Sequence, residues 1–353
     1  MSKLERYIGT SLVWSFFVSL VIIVGLDVVA AFVDEIGRIS GGYNVIEAFF
    51  YVSTTLPGRI YEFVPFAVLI GSLISLGQFS SNSELVVMRA SGVAKGQIVW
   101  ANLKPVAIIA LLAIMLGEFV APVSDLSAEN RRNMMLNKGV DGYGRYGVWN
   151  REGDTFIHFN TVSSAEEATG ITLLKFDEKR SLRSALKADK AIFEGDHWTL
   201  IDVKKTDFFR WETKGVFLDN LRWNTSITPR SLFLEMVEPL KCKIVDLYYY
   251  INYLTIQGLE SAAFELAFWR KLFFPVTLLG LVFVGASFVF GPLREGSVGF
   301  RVFVGVMIGI IFKVSQDLLG PSSIVFGFSP ILVAVIPILG CILLGSILMS
   351  KFN

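Results

Sequence analysis

Residues 98–120 read IVWANLKPVAIIALLAIMLGEFV, and from Pro122 onward the composition changes abruptly. A bilayer core of about 30 Å needs about 20 predominantly apolar residues in helix. The run satisfies that length, with Lys104 near one end and Glu118 near the other. The following segment, 122–243, carries 37 of the 63 charged residues; only 26 remain for the other 231 positions. A polar domain therefore interrupts a membrane-like chain, and the rest of the fold follows from this boundary.

Working outward, further runs of spanning length occupy 8–33, broken only by Asp27, and 60–79, preceded by an apolar helix over 44–56 that stops at Pro57. Beyond the polar segment come 268–290, 302–319 and 330–349. The runs are long and lack the alternation of a membrane barrel, so helices are predicted. The expected fold class is an α-helical membrane protein with six transmembrane helices and an all-β, jelly-roll-like domain inserted between helices three and four. The expected divisions are 1–121, 122–243 and 244–353.

Across its 353 residues the chain is 53% hydrophobic and 18% charged, with mean hydropathy +0.57. Soluble domains carry about 25% charge. The net charge of +1 excludes a general nucleic-acid binder, and the hydrophobicity excludes a disordered chain. Cys242 and Cys341 form no disulfide framework; both read as free structural residues. His158 and His197 show no metal spacing with them. No small-residue cleavage site follows the first run, so no cleavable signal is expected.

The positive-inside rule favours cytoplasmic termini. Lys3, Arg6, Arg89, Lys95, Lys104, Arg294, Arg301 and Lys351 then lie inside. Arg38, Arg59, Arg131, Arg132, Arg270 and Lys271 lie at the outer edges, and the polar domain is extracytoplasmic. Residues 1–9 are expected to lie along the inner interface.

From Gly147, seven short segments rich in β-formers recur about every ten residues, with turn signals such as Glu194-Gly195-Asp196 between them. That spacing predicts a sandwich or jelly roll. No convergent acid, base or nucleophile set is present, which leaves a binding or docking module whose open edges accept another strand. Trp149, Trp198, Trp211 and Trp223 read as core. Residues 246–257 have helical apolar spacing, with Tyr248, Tyr249 and Tyr250 suited to the membrane–water interface.

Between spans two and three the chain reads SSNSELVVMRASG over 80–92. Ser81 or Ser83 caps a short helix, Glu84 suits its first turn and Gly92 ends it. Leu85, Val87 and Met88 give it an apolar face. Two readings stand: an inert connector, or a knob inserted into a cytoplasmic partner. No G-x-x-x-x-G-K-[ST] loop occurs, so ATP-driven work would need another chain.

Charges inside spans are costly and commonly functional. Asp27 stands alone in span one, and the sequence suggests that it pairs with a base on a neighbouring helix and holds a lateral gate. Lys313 and Asp317 share a face of span five, as a self-satisfied pair or as functional groups. Gly71, Ser72, Ser75, Gly77, Gly305 and Gly309 allow close helix approach.

Several stretches carry a resemblance. Leu4-Glu5-Arg6-Tyr7-Ile8-Gly9 opens the chain, and Ser83-Glu84-Leu85-Val86-Val87-Met88-Arg89-Ala90-Ser91-Gly92 forms the inner knob. Gly117-Glu118-Phe119-Val120-Ala121-Pro122, Phe290-Gly291-Pro292-Leu293-Arg294 and Asp317-Leu318-Leu319-Gly320-Pro321 end spans three, four and five. In this order they resemble the lipopolysaccharide export permeases of Gram-negative bacteria, the LptF/LptG family, with the LptG branch nearer. The resemblance implies an inner-membrane heterodimer with LptF, an LptB ATPase dimer that uses ATP and Mg, and LptC leading to an LptA bridge. No cofactor would be bound by this chain. Lipopolysaccharide would be taken from the outer leaflet into a cavity and expelled onto periplasmic jelly rolls.

Under that resemblance Glu84 falls at the family's ATPase-contacting glutamate, with Leu85, Met88 and Arg89 beside it. Arg38, Arg59, Arg131 and Arg132 become candidates for lipid A phosphate, which arginine grips in fork geometry; interfacial anchoring or pairing with Asp34, Glu35 or Glu62 is the alternative. The family often has a lysine just before Phe32-Val33-Asp34, where this chain has Ala31. Two rival functions remain at this stage: a secondary transporter acting alone, against which the lack of an evident repeat speaks, and a membrane-anchored scaffold or sensor with a passive β-domain.

Overall fold

The computed structural model describes residues 3–40, 42–136, 148–163, 167–177, 181–209, 212–236, 238–293 and 296–351. Trp211, Arg294 and the turn at 178–180 lie outside these residues. The first half runs α1 (Lys3–Ile36), α2 (Val45–Thr54), α3 (Leu56–Ser81), α4 (Glu84–Ala90) and α5 (Lys95–Met115). A π-helical turn, Leu116–Val120, joins α5 to α6 (Ala121–Met135). After the β-domain come α7 (Pro229–Met236), α8 (Ile244–Ile256), α9 (Ala262–Leu272), α10 (Phe274–Phe290), α11 (Val298–Phe326) and α12 (Pro330–Lys351). Among the described residues five helices are long and apolar enough to cross a membrane, and α9 with α10, bent by 58° at their junction, passes the same test as a pair and counts as a sixth span when the two are taken together. Pro275 in the first turn of α10 has no N–H to continue the ladder, which accounts for the break.

Two boundaries differ from expectation. Residues 3–9 are no separate interfacial segment but the first turns of α1, because no Gly or Pro breaks the run before Gly9. The Glu5 carboxylate pairs with Lys104 at 2.5 Å, fixing this end to α5. The helix that carries the third span does not stop at Pro122 but continues to Asn133, since the π turn absorbs the change and Pro122 falls where α6 begins.

The centre of the bundle is α3, against which α1, α10 and α11 pack. A Cβ on Gly71 would meet the Phe16 backbone at 2.8 Å, so α1 crosses α3 where only glycine fits. Cβ atoms on Gly305 and Gly309 would strike Leu73 at 2.7 Å and Phe66 at 2.6 Å, so these two glycines serve close packing of α11 on α3. Among polar groups, Asn102 donates to Ser72 Oγ at 2.7 Å in this interior.

Among the described residues the inserted domain has six strands: β1 (Val148–Glu152), β2 (Thr155–Ser163), β3 (Glu167–Phe176), β4 (Leu182–Phe193), β5 (Trp198–Phe208) and β6 (Thr213–Trp223). They form one antiparallel sheet in the order β1-β2-β3-β4-β5-β6. The segment expected over 207–211 is not a strand of its own: Asp207 and Phe208 finish β5. Among the described residues the strands follow one another without Greek-key crossings, and the sheet is creased instead. Pairing skips one residue on each of β2 to β6 along a transverse line: Asn160, Gly170, Asp189, Asp202 and Asp219. Gly170 (φ +64°) and Asp202 (φ +56°) hold left-handed backbone on that line. Such a crease gives a single sheet an inner face, as bulges do.

That face buries Ile157, Phe159, Ile171, Ala188, Trp198, Leu200 and Val203, covered by Ile227 and Leu232. The Trp198 indole donates to the Ile227 carbonyl at 2.8 Å, so this tryptophan is core as expected. Trp149 is not; it lies on β1, the first strand of the sheet, and is 55% exposed. Residues 246–256 are helical as expected, within α8, with Gln257 at its C-cap, but Tyr250 is buried against α9 rather than set at a surface.

Candidate functional site: a charged cavity within the spans

A cavity of about 520 Å³ opens between α3, α6, the bent span and α11. Phe66, Phe274 and Phe312 supply apolar wall; Arg59, Lys241, Arg270, Lys271 and Lys313 face it as cations, and Glu62, Asp125, Glu129, Glu238 and Asp317 as acids. Each charge sits where the helix sequence puts it. Arg59 and Glu62 lie three apart on the first turns of α3, and Lys313 and Asp317 lie four apart on α11, so each couple shares a face.

The pairing within this site is tertiary. Asp27 on α1 receives Arg59 of α3 at 2.5 Å, while Arg59 Nε donates to Thr55 Oγ1 at 3.2 Å. The solitary aspartate thus does pair with a base on a neighbouring helix. Lys313 does not pair with Asp317; it reaches Glu62 on α3 at 2.9 Å. Both partners are substantially exposed to the cavity, 42% and 56%, and an exposed pair is held by only about 0–1 kcal/mol. The Arg270 guanidinium donates to the Gln316 carbonyl, and its Nε is buried without a hydrogen-bond partner.

The other three predicted arginines lie elsewhere. Arg131 makes a bidentate pair with Glu47 at 2.7 and 2.9 Å and lies over the Phe50 ring. Arg132 is 3.2 Å from Glu35 and stacks over Tyr51. Glu35 also accepts from Tyr43 at 2.9 Å and lies 3.5 Å from Arg38. These groups fasten α6 to α1 and α2. Arg59, Lys313 and Asp317 are brought together in the cavity; Arg38, Arg131 and Arg132 are not. Ala31 lies on α1 and does not line it.

One polar link escaped the sequence reading. Glu118, on the π turn, accepts from Lys271 Nζ and from the Ile244 N–H, each at 2.7 Å. Lys271, almost fully buried, also donates to the Cys242 carbonyl at 2.6 Å. A carboxylate and an ammonium inside apolar runs were the only available signal.

At the opposite end of α3 lies α4. Ser83 holds its N-cap position in left-handed backbone (φ +61°) and makes no side-chain capping bond, contrary to expectation. Gly92 (φ +91°) ends the helix, and the Val93 N–H closes back on the Met88 carbonyl at 3.1 Å, a Schellman arrangement. Leu85 and Met88 do not form an outward face; both are buried in the core that also holds Phe79 and Ile98. Val86 and Val87 are the exposed apolar pair. Glu84 accepts from Tyr7 Oη at 3.0 Å, which joins α4 to α1. An arginine, Arg301, is buried between the last turn of α3 and the first turn of α11, donating to the Gly77 carbonyl at 2.6 Å and Ser81 Oγ at 2.8 Å.

No group of three or more metal-binding side chains occurs among the described residues. The family model described as "Lipopolysaccharide export system permease LptF/LptG" matches residues 6–351. Lipopolysaccharide export system permease protein LptG of Escherichia coli (strain K12) is 32% identical over 338 residues, covering 95% of this chain and 94% of the relative. The protein of the same name from Haemophilus influenzae is 32% identical over 340 residues, covering 96% and 95%.

Proposed function

Because this chain belongs to the LptF/LptG family of lipopolysaccharide export permeases, we propose that it is the permease subunit that extracts lipopolysaccharide from the inner membrane and passes it toward the outer membrane. It is a multi-pass inner-membrane protein and not itself an ATPase. The chain works as one half of a heterodimer with LptF, driven by an LptB dimer that binds ATP and Mg. LptC and the LptA bridge receive the lipid. Both termini are cytoplasmic and the β-domain periplasmic, the orientation favoured by the lysine and arginine bias.

The observation that carries this reading is the cavity: apolar wall from the spans and cations together at one site. A lipid with acyl chains below phosphates asks for that combination. Arg59 and Lys313 are the phosphate contacts we assign, because both line the cavity, where a phosphate can compete with their carboxylate partners. Arg38, Arg131 and Arg132 are already engaged with Glu35 and Glu47 and position α6. At the inner end, Glu84, Val87 and Arg89 meet the ATPase, while Leu85 and Met88 anchor α4 to the bundle. ATP-driven motion of α4 then reaches α3, the central helix, and narrows the cavity.

A photo-cross-linking residue in place of Phe312 tests the proposal. Lipopolysaccharide adducts that diminish when ATP is added support it. Adducts absent at Phe312 but present at the membrane-facing Trp14 reject the cavity as the lipid's site.

A further inference from the structure

Helix α8 follows the β-domain and carries no cap of its own: Lys243 at its N-cap position makes no side-chain bond. The first N–H groups of a helix need acceptors, and a carboxylate there is favoured by the helix dipole. Glu118 supplies that acceptor from 126 positions away. Its second oxygen holds Lys271, one residue before the end of α9 and so beside the 58° break in span four. Lys271 in turn holds the Cys242 carbonyl. Three places therefore meet at one buried ion pair: the π turn of span three, the bend of span four, and the strand of chain returning from the β-domain.

This junction is also seated on the cavity wall. A Cβ on Gly117 would lie 2.6 Å from the Tyr61 ring, and Tyr61 stacks on Phe274 at 4.6 Å between centroids. The π turn, α3 and the start of α10 are thus in direct contact where they line the site. A π turn within a helix commonly marks a functional position, and this one carries Glu118 to both the Lys271 ammonium and the first turn of α8.

We propose that Glu118 and Lys271 are positioning residues that transmit closure of the cavity into the β-domain, so that lipid leaving the spans meets a correctly placed acceptor sheet. The inference rests on the export reading. The pair acts through the elements it joins: the Lys271 ammonium, at the cavity wall, is committed to Glu118 and the Cys242 carbonyl, and so keeps α8, and through it the returning chain, in register with the moving wall.

The test uses the complete transporter in lipid bilayers with a periplasmic acceptor, measuring lipopolysaccharide transferred per ATP hydrolysed alongside thermal stability. Glu118→Gln and Lys271→Met each leave a buried partner unmatched and should lower both quantities. The double variant removes both charges, so its stability should recover while transfer per ATP, measured on assembled complexes, stays about tenfold below the unaltered protein. Recovery of transfer together with stability in the double variant overturns the proposal and leaves the pair a packing element. Unaltered transfer per ATP in either single variant overturns it as well. Failure of the unaltered complex to transfer lipid at all would instead reject the export reading.

Discussion

The Asp27 carboxylate lies 2.5 Å from the Arg59 guanidinium, tying α1 to the first turns of α3. Both groups are roughly three-quarters shielded, so the pair is stronger than a surface bridge yet open enough for an anion to compete. It is the clasp between the first span and the cavity wall. Asp27→Asn removes the charge but keeps an oxygen acceptor. We expect lipid extraction to fall several-fold with little loss of complex stability, read by transfer to a periplasmic acceptor and by thermal melting. Unchanged transfer and unchanged melting would remove the clasp from the mechanism.

The surface of α4 divides by depth. Val87 is 67% exposed, whereas Leu85 is 5%. Val87→Asp should abolish co-purification of the ATPase while the permease melts normally, because the change lies outside the core. Leu85→Ala should act differently, costing about 2–5 kcal/mol by leaving a cavity and lowering the melting temperature first. Pull-down and melting on the same preparations separate the two; equal ATPase recovery from the Val87 variant would place the contact elsewhere.

The spans were legible because each is a run of spanning length, and the β-domain because its charge and strand spacing change at a definable boundary. What escaped depended on distance or context. Lys313 and Asp317 are correctly spaced for a local pair, but α3 brings Glu62 closer to the ammonium than its own helix does. Leu85 and Met88 belong to a helix of seven residues, too short for its pattern to say which face meets the bundle. Glu118 and Lys271 are 153 positions apart, and nothing local to either names the other. The crease is partly visible at Gly170, but the alignment of Asp189, Asp202 and Asp219 exists only once the register is set.

Gly71 tests the packing argument. The nearest atoms to a Cβ there are backbone atoms of Phe16, at 2.8 Å, and backbone cannot swing aside as a side-chain tip can. Gly71→Ala should therefore force α1 and α3 apart, destabilising the protein by about 1–3 kcal/mol. Gly25→Ala on the partner helix α1, where nothing lies within 4 Å, should be neutral or slightly stabilising through helix propensity. Melting curves of the two variants decide it; equal effects would mean that the crossing has slack.

The β-domain should weaken in acid through Glu152. Burial of this carboxylate opposes its ionisation, but it accepts from Thr225 Oγ1 at 2.7 Å, the Ser226 N–H at 2.9 Å and Ser226 Oγ at 2.7 Å. These bonds outweigh burial and hold its pKa below the ordinary carboxylate value. A group with a depressed folded pKa stabilises the fold above its unfolded value, near 4.5, and that contribution is lost as pH falls through the folded one. The segment it fastens, 225–226, leads directly to Ile227, whose carbonyl receives the Trp198 indole. Loosening should therefore expose Trp198 and red-shift its fluorescence as pH falls from about 4.5 through the lower folded pKa. Glu152→Gln should remove that acid-dependent component and lower stability at neutral pH by about 1–2 kcal/mol, because the bonds are no longer to a charge. An unchanged acid profile in the glutamine variant would assign the transition to another carboxylate.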